Sequence, residues 1–135
     1  MSYPISKIDG LGPQSAAKLK ALGIRTTEGL LKNAASAKAR KALSAKTGIG
    51  EQQLLEWTNT AAMMSVPGIS TGKAGLIRAS GVNTVRELAM RNPGRLAQAM
   101  REINNGKKFL RVLPSEKSLA RLIENAGKLP HKISY

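Results

Sequence analysis

The 135-residue chain has no cysteine. Disulfides, thiolate metal sites and a cysteine nucleophile are therefore excluded. A single histidine, His131, leaves almost no scope for histidine catalysis or a multi-histidine metal site. No metal and no cofactor is expected. Aromatic residues amount to 3%: Tyr3, Trp57, Phe109 and Tyr135. Proteins that hold single-stranded nucleic acid stack its bases on aromatic platforms, and four scattered rings do not make one. Acidic residues are scarce too. The only aspartate is Asp9, and the seven glutamates show no catalytic pair spacing. No catalytic residue is expected. No run approaches the ~20 apolar residues that span a bilayer. The opening M-S-Y-P-I-S-K-I-D lacks the basic-then-apolar pattern of a secretory signal. The expected location is the cytoplasm, with no membrane partner.

Against these absences stands a surplus of bases. Lys plus Arg is 22 and Asp plus Glu is 8, a net charge of +14. Solubility alone asks for a net charge of only ~2–8 in a small domain. The bases run from Lys7 to Lys132, so the folded body carries the charge rather than a tail. Such a field attracts polyanions. With so few rings, the phosphate backbone of a duplex is a better match than splayed bases. Hydrophobic residues make up 41%, enough for a core in one compact unit.

The chain repeats itself. Residues 8–31 align with residues 66–89 at an offset of 58. Identical pairs include Gly10/Gly68, Ala16/Ala74, Gly23/Gly81, Thr26/Thr84 and Leu30/Leu88. G-E-Q-Q-L-L-E-W at 50–57 then echoes S-E-K-S-L-A-R-L at 115–122 at an offset of 65. The second copy thus carries about seven extra residues, placed within 104–114. The reading is two units, 1–64 and 65–127, and a tail, 128–135.

Periodicity predicts helices almost throughout. Pro13 opens a helix and Gly23 closes it. Thr26 and Thr84 are N-caps. A helix over Ala34 to Lys46 runs up to Gly48, and Gly50 opens another through Met64. Later helices are expected at about 71–80, 85–91, 93–103 and 115–126, with Ser115 as a cap. Only F-L-R-V-L at 109–113 alternates like a strand. Trp57, Met63 and Met64 sit at core spacing. The run Lys38, Arg40, Lys41 and Lys46 reads as a solvated face or, equally, as an extension of a DNA contact surface.

The central motif is I-D-G-L-G-P-Q-S-A at 8–16. Gly10 and Gly12 allow a tight bend, and Leu11 pins it to the core. The freed amides of the bend and of the helix start point outward, where a positive dipole end favours a phosphate. Gln14 and Ser15 add donors, and Lys18 adds charge one turn on. V-P-G-I-S-T-G-K-A at 66–74 repeats this with Gly68 and Ile69, but with Ser70 in place of the second glycine. Serine is disfavoured at positive φ, so a distorted bend is expected there. Thr71 and Lys73 remain as phosphate ligands. A third Gly-apolar-Gly, Gly48-Ile49-Gly50, precedes Glu51, whose carboxylate occupies the anion position. That bend is expected to be structural.

These bends resemble the helix-hairpin-helix motif. The whole chain, with L-L-E-W at 54–57 and G-V-N-T-V-R-E-L-A-M-R-N-P at 81–93, is similar to a bacterial family of tandem helix-hairpin-helix proteins with no assigned activity. The resemblance implies an all-α fold of two tandem units forming one compact domain about a pseudo-two-fold axis. It implies double-stranded DNA binding without sequence preference. The interface would be Gly10, Leu11, Gly12, Gln14, Ser15 and Lys18, with Gly68, Ile69, Ser70, Thr71 and Lys73.

G-I-S-T-G-K-A at 68–74 is not a P-loop: it is one residue short, and Ala74 stands where Ser or Thr would hold Mg²⁺. Some DNA glycosylases share the hairpin, but they need a downstream catalytic aspartate that this chain lacks. Two alternatives stay open. One is a protein–protein adaptor within a repair, replication or transcription complex, docking through an apolar patch near Met63, Met64 or Phe109. The other is structured RNA.

Overall fold

Hydroxyl and amide caps punctuate the chain. The side chains of Thr26, Ser36, Ser70, Thr84, Asn92 and Ser115 each accept from the amide three residues on. Each thereby satisfies a donor that the first helical turn leaves without a partner. Proline fills the first helical position at Pro13 and Pro93. The computed structural model, which describes residues 2–130 and 133–134, accordingly contains eight helices and no strand among those residues. They are α1 (Pro13–Ala21), α2 (Thr27–Asn33), α3 (Ala37–Thr47), α4 (Glu51–Met64), α5 (Thr71–Ala79), α6 (Val85–Ala89), α7 (Pro93–Gly106) and α8 (Glu116–Lys128). A 3-10 turn, Ile5–Lys7, precedes them. No helix of the described chain is long and apolar enough to cross a membrane. His131, Lys132 and Tyr135 lie outside the described residues.

The local geometry recurs at the offsets seen in the sequence. Helices α1 and α5 start 58 residues apart, and so do α2 and α6; α4 and α8 start 65 apart. Gly23 and Gly81 both end a helix in the left-handed region, at φ 83° and 96°. Each makes the same pair of bonds. Ile24 N–H reaches the Leu19 carbonyl and Gly23 N–H that of Lys20; Val82 and Gly81 do likewise to Ile77 and Arg78. This is the Schellman closure, which only a residue free of Cβ strain adopts readily. Packing also recurs: α2 lies on α4 as α6 lies on α8, and α3 on α4 as α7 on α8.

Helix α4 departs from this correspondence. It also packs against α5 and α6, so it has neighbours on most sides. Every residue from Trp57 to Met64 is buried. Helix α8 has no such second layer, and only Leu119, Leu122 and Ala126 are buried. Met63 and Met64 are 0% and 1% exposed, so neither offers a docking patch. Trp57 is buried as its spacing predicts.

Three expectations need correction. The helix predicted over 34–46 starts later, because Ser36 caps α3 and residues 34–36 turn the chain after α2. The strand-like segment 109–113 is a loop. Asn104 takes its main-chain groups, Oδ1 accepting from Phe109 and Leu110 and Nδ2 donating to Leu110. Arg40 is no part of a solvated face. It is buried, and its guanidinium donates to the carbonyls of Ala34, Ala35 and Ser134. The Ser134 amide in turn donates to Ala35 at 2.8 Å, so Ser134 is stitched to the turn before α3.

Candidate functional site

The two bends have one geometry. Gly10 and Gly68 adopt φ 83° and 91°, which glycine reaches without the cost a Cβ would impose. The next residues, Leu11 and Ile69, are buried at 6% and 1% exposure and anchor the bends to the core. Their amides close the turns internally, Leu11 onto Ile8 and Ile69 onto Val66, each at 3.1 Å. The apex amide is therefore not free, contrary to the outward array read from sequence. The third residues, Gly12 and Ser70, are helix N-caps at φ −73°, ψ 172° and φ −84°, ψ 173°. Neither is left-handed. Ser70 therefore does not distort its bend, and its hydroxyl accepts from Lys73 N–H at 3.3 Å.

What remains at each bend is a set of main-chain donors without a protein acceptor. Among the described residues, the amides of Gly10, Gly12, Gln14 and Ser15 have no protein acceptor. The same holds at Gly68, Ser70, Thr71 and Gly72. Gly12, Gln14 and Ser70 are exposed, and Ser15 and Thr71 are half-buried. Lys18 is exposed on α1. Lys73 turns back, its Nζ donating to the Gly68 carbonyl at 3.2 Å, which fixes a cation beside the second bend.

The third bend repeats the backbone but closes differently. Gly48 is left-handed at φ 75°, and the Ile49 amide goes to the Thr47 hydroxyl at 3.2 Å. Ser44 donates to the Ile49 carbonyl. Glu51 sits in the first turn of α4, where its charge meets the helix dipole.

The first bend and the start of α5 line one open groove. Lys7, Asp9, Gly10 and Gly12 form one side, and Thr71, Gly72 and Gly75 the other. Lys107 and Phe109 complete it. Sequence reasoning did not place these last two at the site. The signal was available in T-G-K-A-G: glycines three apart bare one face of α5, and the 107–110 segment lies on it.

Residues 9–129 match the family described as "Domain of unknown function (DUF4332)". The chain belongs to that family. The matched span starts inside the first bend, at Asp9, and ends one residue past α8, so it holds all of the second bend and the first from Asp9 on. No curated protein and no solved structure matches the chain.

Electrostatics at the groove are mixed in sign but mainly positive. Asp9 is its single carboxylate, against Lys7 and Lys107. Burial pushes the Arg78 guanidinium down from its ordinary value, opposed by Glu56 and then by Asp9 of the groove. Its Nη1 donates to the Thr60 hydroxyl. Arginine stays cationic regardless. Among the described residues only two ion pairs form, Arg91–Glu87 and Lys128–Glu124, both exposed. Most of the cationic surplus is thus unpaired. No group of three or more metal-ligating side chains comes together among the described residues.

Proposed function

We propose that the protein binds double-stranded DNA without sequence preference and without catalysis, as two tandem helix-hairpin-helix units related by a pseudo-two-fold axis. The observation that carries this reading is the matched pair of bends. Each presents unsatisfied amides at a helix start, with a buried aliphatic residue holding it in place. A phosphate oxygen accepts from such amides and gains from the helix dipole. Contacts of this kind position a backbone and carry no base information, so no sequence is preferred.

Gly10, Gly12, Gln14 and Ser15 form one clamp, with Lys18 near it. Gly68, Ser70 and Thr71 form the second, with the ammonium of Lys73 fixed beside it. Leu11 and Ile69 serve by holding the bends rather than by touching the ligand. The remaining unpaired bases supply long-range attraction.

The test is affinity for a random duplex at several salt concentrations, with duplex RNA as competitor. The reading predicts that log K falls with log salt at a slope of about −0.9 per neutralised phosphate, with several neutralised. It also predicts that DNA outcompetes RNA. Preference for the RNA duplex would move the assignment to structured RNA. No binding at ~50 mM salt would remove it.

A further inference from the structure

The extra residues of the second half are not a slack connection. After α7 the chain needs nine residues, 107–115, to reach α8, where three suffice between α3 and α4. Asn104 pins this loop. Its Oδ1 accepts from the Phe109 amide at 2.8 Å and the Leu110 amide at 3.1 Å, and its Nδ2 donates to the Leu110 carbonyl at 3.0 Å. Below the loop, α5 is bare. A Cβ on Gly72 would stand 2.9 Å from Leu110 Cδ2, and one on Gly75 would stand 3.2 Å from Phe109 Cδ1. Phe109 is thereby seated, half-buried, in the wall of the groove that also holds Gly10 and Gly12. Among the described rings it alone lines that groove. Lys107 Nζ lies 5.1 Å from its centroid.

We propose that Phe109 is a stacking platform for one unpaired base, so that the protein prefers duplex DNA carrying a single-stranded overhang. This rests on the reading that the bends hold duplex phosphates. Along an intact duplex each base is covered on both faces and shows none to a ring beside the backbone. The first base of an overhang leaves the stack and lies on the ring. Lys107 is exposed, so its ammonium moves to a phosphate oxygen and uncovers the ring face. A stacked base is a stronger partner for the ring than an exposed ammonium. Lys108 and Arg111, exposed on the same loop, meet the phosphates of the overhanging strand. One ring serves one base, which is consistent with a chain too poor in aromatics to bind a long single strand.

The experiment compares a blunt duplex with the same duplex bearing a short overhang, using wild-type protein, Phe109→Leu and Asn104→Ala. Leucine keeps an apolar contact on Gly75 and leaves the charge unchanged, so it separates stacking from electrostatics. The wild type is expected to bind the overhang about tenfold more tightly. Both variants are expected to bind the two DNAs alike, at the blunt value. Equal wild-type affinities, or a preference that survives Phe109→Leu, would overturn the inference and leave the bends as phosphate clamps. Failure to bind either DNA would overturn both.

Discussion

The Tyr3 hydroxyl donates to the main-chain carbonyl of Ile69 at 3.3 Å. Residue 3 leads into the first bend, and residue 69 is the apex of the second. The same segment is tied on its other side, where Thr27 N–H donates to the Tyr3 carbonyl at 2.8 Å and Ile5 N–H to Arg25 at 3.1 Å. The two bends are therefore held in one arrangement rather than hung on independent halves. Tyr3→Phe keeps the ring and loses this bond. Urea unfolding should show a loss of about 1 kcal/mol, and duplex affinity should weaken while blunt and overhang forms keep their order.

The glycines of the first bend differ in what they demand. Gly10 is left-handed with open space around it, so Gly10→Ala pays only backbone strain, about 1 kcal/mol. Gly12 has ordinary φ and open space. Gly12→Ala should stay within ~0.5 kcal/mol of wild type, because the lower entropy of the unfolded chain offsets a poorer cap. Thermal unfolding of the two variants checks the contrast, and equal losses would contradict it.

Aspartate at the cap positions separates binding from folding. Gly12→Asp and Ser70→Asp place a good N-cap where the backbone already has cap geometry, so both variants should fold with wild-type stability or slightly more. Each also puts a carboxylate where a phosphate would lie. Each single change should weaken duplex binding, and the pair together should abolish it. Circular dichroism and a binding titration on the same samples read the two effects.

Arg40 is a buried, stabilising exception in a chain whose bases are mostly exposed. Arg40→Met leaves the carbonyls of Ala34, Ala35 and Ser134 without their charged donor, and should cost about 2 kcal/mol in denaturant unfolding. Lys38→Met, on an exposed residue of the same helix, should change stability by less than ~0.5 kcal/mol.

Short-range signals in the sequence are reliable in this chain. The all-α class, the caps at Thr26, Thr84 and Ser115, the stops at Gly23 and Gly48 and the buried Leu11 follow from short-range chemistry. Errors arose where a second element decides. Sequence alone marks Ser70 as unfit by assigning positive φ to both glycine positions of the bend, yet only the leading one adopts it. Arg40 cannot be told from Lys38 or Lys41 by sequence, since its partners are main-chain carbonyls, two in the turn just before α3 and one 94 residues on at Ser134. The F-L-R-V-L alternation has no partner strand: Phe109 and Leu110 lie on the bared face of α5, while Arg111 and Val112 stay exposed. That placement put Lys107 and Phe109 at the groove.

The central claim concerns main-chain amides, and amide resonances report on it directly. Titrating ¹⁵N-labelled protein with a short random duplex should shift the amides of Gly10, Gly12, Gln14 and Ser15 most, together with Gly68, Ser70, Thr71 and Gly72. The amides of Leu11 and Ile69, already bonded inside the turns, should move less. Large shifts confined to the outer face of α8, with both bends silent, would contradict the account.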